Sequence, residues 1–195
     1  MRKIVAGLFA SLDGVYEEPG DWHFPWFDDA MGAAVGAQMQ ATDAMLLGRV
    51  TWQEFAGYWP SQTPEENDIA GHMNGIQKYV VSNTLDTVDA WQHSALVSGD
   101  VNAELARLKQ QPGKDIGITG SGELVRTLLR DGLLDELRLL VHPVVVGRGK
   151  RLFPDGFGQI PLDLVSSETF PTGVLYLTYR RAEDAGTAAE PATIH

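Results

Sequence analysis

Asp115–Leu129, DIGITGSGELVRTLL, is the stretch whose reading decides the fold. Ile116 to Thr119 is short and apolar, as a buried strand would be. Gly120, Ser121 and Gly122 then turn the chain, and Leu124, Val125, Leu128 and Leu129 recur at helical spacing. Strand, glycine turn and helix together suit a phosphate. Glycine lets the backbone approach closely, and the first N–H groups of a helix lack internal partners and sit at the positive end of its dipole. The spacing Gly117-x-x-Gly120-x-Gly122 matches neither Gly-x-Gly-x-x-Gly nor a loop ending in Gly-Lys-Ser/Thr, so the Rossmann and nucleotide-hydrolase fingerprints are both missing. On this pattern alone a plain structural turn explains the stretch as well as a ligand site does.

Upstream, the same device recurs. Ala44 to Leu47 reads as a strand, and Gly48-Arg49-Val50-Thr51-Trp52 leads directly into a helix, with an arginine at the turn and Thr51 placed to cap it. Two such turns could hold the two ends of a dinucleotide. Lys3 to Ala10 is short and apolar throughout, which suits a central strand buried on both faces, and Ser11-Leu12-Asp13-Gly14 ends it. Val15 to Trp26 is an aromatic loop containing Trp22, His23, Phe24 and Trp26; it could close over a flat ring or cover the edge of the core. From Phe27 the apolar residues follow helical spacing, with Asp28 and Asp29 in the first turn, where they favour the dipole. Ser61 to Asn74 is polar and predicts a partly helical, mobile segment. Gln77 to Val81 predicts a strand, and the trio Ser82-Asn83-Thr84 after it suits a turn or adenosine contacts. Val88 to Val97 reads as irregular or weakly extended and Ala103 to Gln110 as a short helix.

Downstream, Asp131-Gly132 stops the helix. Glu136 to Val146 predicts a long strand in which Pro143 implies a bulge or an edge position. His142 lies in that strand with no second histidine or paired carboxylate at a recognisable spacing, which favours a structural role over acid catalysis. Gly147-Arg148-Gly149-Lys150-Arg151 is a basic loop that could contact a substrate phosphate or simply be a solvated hairpin. Two strands, Leu162 to Glu168 and Gly173 to Arg181, close the fold, and Ala182 to His195 has the low complexity of a disordered tail. The expected fold is α/β: a central mixed sheet of about eight strands flanked by helices, turning antiparallel at its C-terminal end, in one domain over residues 1–181.

Composition sets limits. A 195-residue chain that is 44% hydrophobic can build one substantial core. A net charge of -11 argues against nucleic-acid binding over a broad surface, so an anionic ligand must be held locally. The absence of cysteine removes disulfides, thiolate metal sites and a cysteine nucleophile. The apolar start breaks at Ser11 and Asp13, too early for a signal peptide, and no run approaches a membrane span; the default expectation is a cytoplasmic protein.

The motifs, in order, resemble a known family. Gly48-Arg49-x-Thr51-Trp52 is similar to a motif of dihydrofolate reductases, and Ile118-Thr119-Gly120-Ser121-Gly122-Glu123-Leu124 sits where those enzymes have a paired-glycine turn before a helix. Ser11-Leu12-Asp13-Gly14 and His142-Pro143-Val144-Val145-Val146-Gly147-x-Gly149-Lys150-x-Leu152-Phe153 resemble the reductase domain of bifunctional riboflavin-biosynthesis enzymes, the RibD C-terminal type, which shares that fold.

The resemblance implies NADPH bound along the carboxyl ends of the central strands. Gly48, Arg49 and Thr51 would hold the adenosine phosphate end, Ser82 and Asn83 the 2′-phosphate region, and Gly120, Ser121, Gly122, Glu123 and Leu124 the pyrophosphate; Leu12, Asp13 and Gly14 would border the nicotinamide. It also implies hydride transfer to a C=N bond of a pteridine- or aminopyrimidine-type ring, with 5-amino-6-(5-phosphoribosylamino)uracil reduction the most specific candidate. Dihydrofolate reduction or a non-catalytic NADPH-binding sensor are the alternatives. Asp13 and Asp28 are the candidate catalytic acids, and Trp22, Trp26 and Trp52 the candidate substrate-binding rings. Asp28 stands one residue off the spacing of the folate enzymes' carboxylate, and the aspartate-aspartate-proline run of the riboflavin enzymes is missing after Gly48-Arg49. Relatives that dimerise through sheet edges make a homodimer the expected assembly.

Overall fold

The computed structural model describes residues 1–182; the expected disordered tail lies outside them but for its first residue. The strands are β1 (Ile4–Ser11), β2 (Thr42–Gly48), β3 (Gln77–Val81), β4 (Ser94–Val97), β5 (Asp115–Thr119), β6 (Glu136–His142), β7 (Leu162–Thr169) and β8 (Leu175–Arg181). Between them run α1 (Asp29–Gln40), α2 (Arg49–Ala56), α3 (Ala70–Gly75), α4 (Val101–Gln110) and α5 (Gly122–Arg130). All eight strands form one sheet in the order β4-β3-β2-β5-β1-β6-β8-β7. The six from β4 to β6 are mutually parallel, whereas β8 pairs antiparallel with both β6 and β7. The mixed sheet with an antiparallel C-terminal end is as expected.

β1 lies inside the sheet between β5 and β6, which is why a near-continuous apolar run forms it. Its residues Ile4, Ala6 and Leu8 face α4 and α5 and join one large cluster with Leu105, Leu108, Leu124, Val125, Leu128 and Leu129. The opposite face is packed differently. There, one cluster centred on Met45, Leu47, Trp52, Trp59, Val80 and Trp91 lies under α2 and α3, and another, of Met31, Leu140, Phe170 and Val174, lies under α1. Gly7 of β1 and Gly117 of β5 stand between the two clusters. A glycine inside a strand removes a side chain from the floor. The helix layer is therefore split on that face, and a cleft opens along the split.

Three local expectations differ from the structure. The strand expected to run to Val146 ends at His142, because Pro143 has no N–H to donate to the ladder; β6 is interior, so the proline sits past the strand instead of at an edge or bulge. Val88 to Val97 contains a regular four-residue strand, β4, parallel to β3. The polar segment Ser61 to Asn74 is partly helical as expected, and its C-terminal end is anchored: Ala70 and Met73 are buried, and Asn74 Nδ2 donates to the Trp59 carbonyl (2.8 Å) while its Oδ1 accepts from Trp91 Nε1 (2.8 Å). Thr51 does not cap α2, whose N-cap is Gly48.

Candidate functional site

The cleft, of about 1370 Å³, runs over the carboxyl ends of β2, β5 and β3 and along the floor made by Gly7, Phe9 and Gly117. It brings together ten of the residues singled out from the sequence: Gly48, Arg49, Thr51, Ser82, Asn83, Gly120, Ser121, Gly122, Glu123 and Leu124. The two glycine turns are bonded to each other. Gly48 N–H donates to Ser121 Oγ (2.9 Å), and Ser121 N–H donates to Thr51 Oγ1 (3.1 Å). The fit leaves no room at Gly120, where φ is +68° and an added Cβ would come within 3.1 Å of Thr51 Cγ2. Ser121 itself adopts the left-handed conformation, φ 53°, at the N-cap of α5. The first N–H groups of α2 and α5 thus open on one space, so the positive ends of two helix dipoles act together.

Around them, Arg49 is held by Gln53 Oε1 (2.9 Å). Ser82 Oγ accepts from Thr84 and Leu85 N–H (both 3.1 Å), and Asn83 Oδ1 accepts from Gly99 N–H (3.1 Å). The pair after β3 therefore shapes a turn at the cleft rim, with the Asn83 amide nitrogen left over as a donor.

Two cleft-lining side chains, Tyr16 and Gln38, carry no motif in the sequence. Tyr16 lies across Gly122 so closely that a Cβ there would overlap its ring, which makes Tyr16 the cover of the α5 turn. Gln38 of α1 lies over Gly7 in the same manner, and its Nε2 donates to Tyr176 OH (3.0 Å). The available signal was the mid-strand glycine, since Gly7 interrupts an otherwise apolar strand.

The remaining candidates lie elsewhere. Leu12 is exposed, and its N–H donates to the Val144 carbonyl (2.8 Å). Gly14, φ +82°, accepts at its carbonyl from Leu152 N–H (2.8 Å) in a tight turn. Asp13 braces that turn, accepting from Ser11 Oγ (2.6 Å), Val146 N–H (3.0 Å) and Gly147 N–H (2.8 Å). The Ser11 hydroxyl and then these two amides pull its carboxyl down to about 2. Asp28 is the N-cap of α1, accepting from Met31 N–H (2.8 Å). Trp52 is core: it is buried, and Nε1 donates to Ser94 Oγ (3.1 Å). Trp22 donates to the Glu17 carbonyl (3.1 Å), and Trp26 packs against the cluster under α1. Neither lines the cleft.

The basic loop Gly147–Arg151 is also a brace. Lys150 N–H donates to Glu17 Oε2 (3.1 Å) and its ammonium pairs with Glu17 (2.7 Å), while Arg126 donates to the Leu152 carbonyl (3.2 Å) beneath it.

Comparison with known proteins agrees with this architecture. The Bacillus subtilis (strain 168) uncharacterised protein YyaP is 33% identical over 181 residues, which is 91% of this chain and 94% of YyaP. A candidate riboflavin biosynthesis protein from Shewanella sp. PV-4 superposes with TM-score 0.74 at 20% identity, covering 93% of this chain and 99% of that one. Dihydrofolate reductase from Enterococcus faecalis, solved with NADP(H) and RAB-propyl, superposes with TM-score 0.61 at 17% identity over 93% of this chain and 97% of the enzyme. The fold is that of dihydrofolate reductase, and the family model described as the RibD C-terminal domain matches residues 2–176. This chain, then, belongs to the RibD C-terminal domain family.

Proposed function

We propose that this protein is an NADPH-dependent reductase delivering hydride to a C=N bond of a flat heterocycle of the pteridine or aminopyrimidine type. The observation that carries the reading is the bonding of the two glycine turns through Ser121 and Thr51, which aims two helix N-termini at one space in a chain of net charge -11. Such a local site suits a dinucleotide pyrophosphate without a basic surface. Arg49, on the first turn of α2, supplies a fork for the adenosine phosphate end, with Ser82 and Asn83 at the rim beyond it. When bound, NADPH supplies a hydride, and the substrate nitrogen takes up a proton. The chain orients the partners and excludes water along the floor of Gly7, Phe9 and Gly117. Asp13 is ionised at neutral pH with its oxygens engaged, so its role is to shape the turn beside the nicotinamide end.

The riboflavin-pathway aminopyrimidine is the most specific substrate candidate. A non-catalytic NADPH sensor is the second reading, favoured by one observation: Asp28, Trp22 and Trp52 all make bonds outside the cleft. A homodimer through β7 completes the proposal, because this sheet edge exposes Leu164 and Val165.

The test is a thermal-unfolding titration with NADPH and NADH. At a hundredfold excess over the dissociation constant, binding stabilises by about 2.7 kcal/mol. A shift with NADPH that is lost in Arg49→Ala supports the cleft, and consumption of NADPH with a C=N substrate separates enzyme from sensor. No shift with either nucleotide refutes the reductase.

A further inference from the structure

His23 and His142 meet where the aromatic loop crosses β1 and β6, and the proposed reaction uses neither. His142 is fully buried and His23 is 7% exposed. His23 stacks on Phe9 with ring centroids 4.6 Å apart and planes within 12°, and His142 stands edge-on to it with centroids 5.9 Å apart. Trp22 and Trp26 stand edge-on to His142, while Phe24 and Phe27 close on His23. His142 Nδ1 lies 2.9 Å from the Leu140 carbonyl, which assigns the proton to that nitrogen and leaves Nε2 a bare acceptor. Neither His142 Nε2 nor His23 Nδ1 has a partner among the described residues. The pair is tied to the cleft in two ways. His23 N–H donates to the Pro19 carbonyl (2.9 Å), and Glu17, Glu18 and Pro19 wall the cleft; Phe9, beneath the His23 ring, belongs to its floor.

We propose that His23 and His142 are positioning residues: as neutral, packed rings they hold the aromatic loop against β1 and β6, and protonation of His23, the ring carried by the loop itself, releases the loop and the cleft wall with it. A charged imidazole needs acceptors at both nitrogens, and His23 Nδ1 and His142 Nε2 have none within hydrogen-bond distance; for His142 burial outweighs the Leu140 and Ala10 carbonyls, which favour the charged ring. No carboxylate stands ready to replace them. Asp13 is held by Ser11, Val146 and Gly147, Glu17 by Lys150, Asp28 by Met31 N–H, and Glu136 by Lys3 and Arg138. The other charged groups on these elements are Glu18 and Asp21 on the loop, Asp29 on α1 and Arg138 on β6, and none of them is hydrogen-bonded to either ring. Burial lowers both imidazoles below their ordinary range, and for His23 the charge of His142 adds to it. The closed loop is therefore favoured at neutral pH and lost as pH falls below about 6.5.

Closure does not depend on the reductase reading; its effect on NADPH does. The test follows acrylamide quenching of tryptophan fluorescence in the ligand-free protein from about pH 8 to about pH 5. Trp52, Trp59 and Trp91 are buried in another cluster, so new quenching reports Trp22 and Trp26. We expect quenching to rise with a midpoint below about 6.5, and His23→Phe, which preserves the stack on Phe9, to remove the transition. Imidazole proton resonances of the wild type are titrated in parallel, so the test stands even if the variant folds poorly. Rings that ionise without a change in quenching, rings that stay neutral with the loop closed down to about pH 5, or the same transition in His23→Phe would each overturn the proposal. In wild type the NADPH dissociation constant should rise several-fold across the same transition. Absence of NADPH binding at every pH refutes the reductase reading and leaves the quenching result to decide this one.

Discussion

Replacing Thr51 with valine changes one atom type at the junction of the two glycine turns and keeps its shape. Thr51 Oγ1 accepts from Ser121 N–H at 3.1 Å, and the threonine methyl already packs against Gly120. In Thr51→Val that amide faces a methyl group. An unpaired amide costs about 1–3 kcal/mol when buried, and because Ser121 is half-buried we expect the lower part of that range, about 1–1.5 kcal/mol. For a chain of this size that lowers the melting temperature by roughly 2–6 °C. The second consequence concerns the ligand. Ser121 sits in a left-handed conformation at the start of α5, and the hydrogen bond its N–H donates to Thr51 is one of two that keep the ends of α2 and α5 together. With the junction loosened, NADPH affinity should fall about tenfold, or about 1.4 kcal/mol. Urea denaturation and NADPH titration of wild type, Thr51→Val and Thr51→Ser separate the two effects; the serine variant keeps the acceptor and should keep both properties. If Thr51→Val loses stability but binds NADPH as wild type does, the junction is a structural clasp and the pyrophosphate does not sit over it. If it loses neither, the hydrogen-bond reasoning is refuted.

Three further outcomes follow from the same structure. The carboxyl of Asp13 is held down to about 2, so the stability it contributes is present above its ordinary range and is lost as pH falls from about 4 toward about 2; the urea midpoint of Asp13→Asn should fall less steeply over that window than that of wild type. Lys78 is fully buried, its ammonium donating to the Asn74 (3.2 Å), Ile76 (2.8 Å) and Gln92 (3.0 Å) carbonyls over the Trp91 ring, and burial lowers it to about 8. The unfolded chain then holds this proton longer, so stability should rise from about pH 8 to about 10.5 by at most about 3 kcal/mol; a Lys78→Met variant, compared across that range by denaturant midpoint, should lack the rise. Val165→Lys places a charge on the exposed β7 edge, and a light-scattering mass that drops from two chains to one would confirm the edge as the dimer contact, whereas a monomeric wild type would refute it.

How much was legible in the sequence differs from element to element. β1, β2 and β5 are legible because strands buried on both faces carry short, largely apolar stretches, and β3 is legible from Tyr79-Val80-Val81 ahead of a polar turn. α5 read correctly because Leu124, Val125, Leu128 and Leu129 all turn to one side. β4 reads only as weak extension because SALV on an edge is too short and too polar in its surroundings to stand out as a regular strand. The end of β6 was misplaced because an apolar run continues through Pro143 to Val146, although the ladder cannot. The family resemblance points to Asp28, Trp22 and Trp52 as site residues. Their hydrogen bonds go to a helix cap, a loop carbonyl and a core serine; spacing places Asp28 at the helix start, but it does not reveal the two tryptophan partners.

By itself the sequence determined the mixed sheet, the two strand–glycine–helix turns and their order, because these depend on local periodicity and on the freedom of glycine backbone. Only the tertiary structure decided that the turns touch through Ser121 and Thr51, that Tyr16 covers one of them, and that Gly7 and Gly117 open a floor between two separate packing clusters. Those facts rest on strand order. β2, β5 and β1 are neighbours in the sheet though far apart in the chain, and contacts made across neighbouring strands carry no trace in the spacing along any one of them.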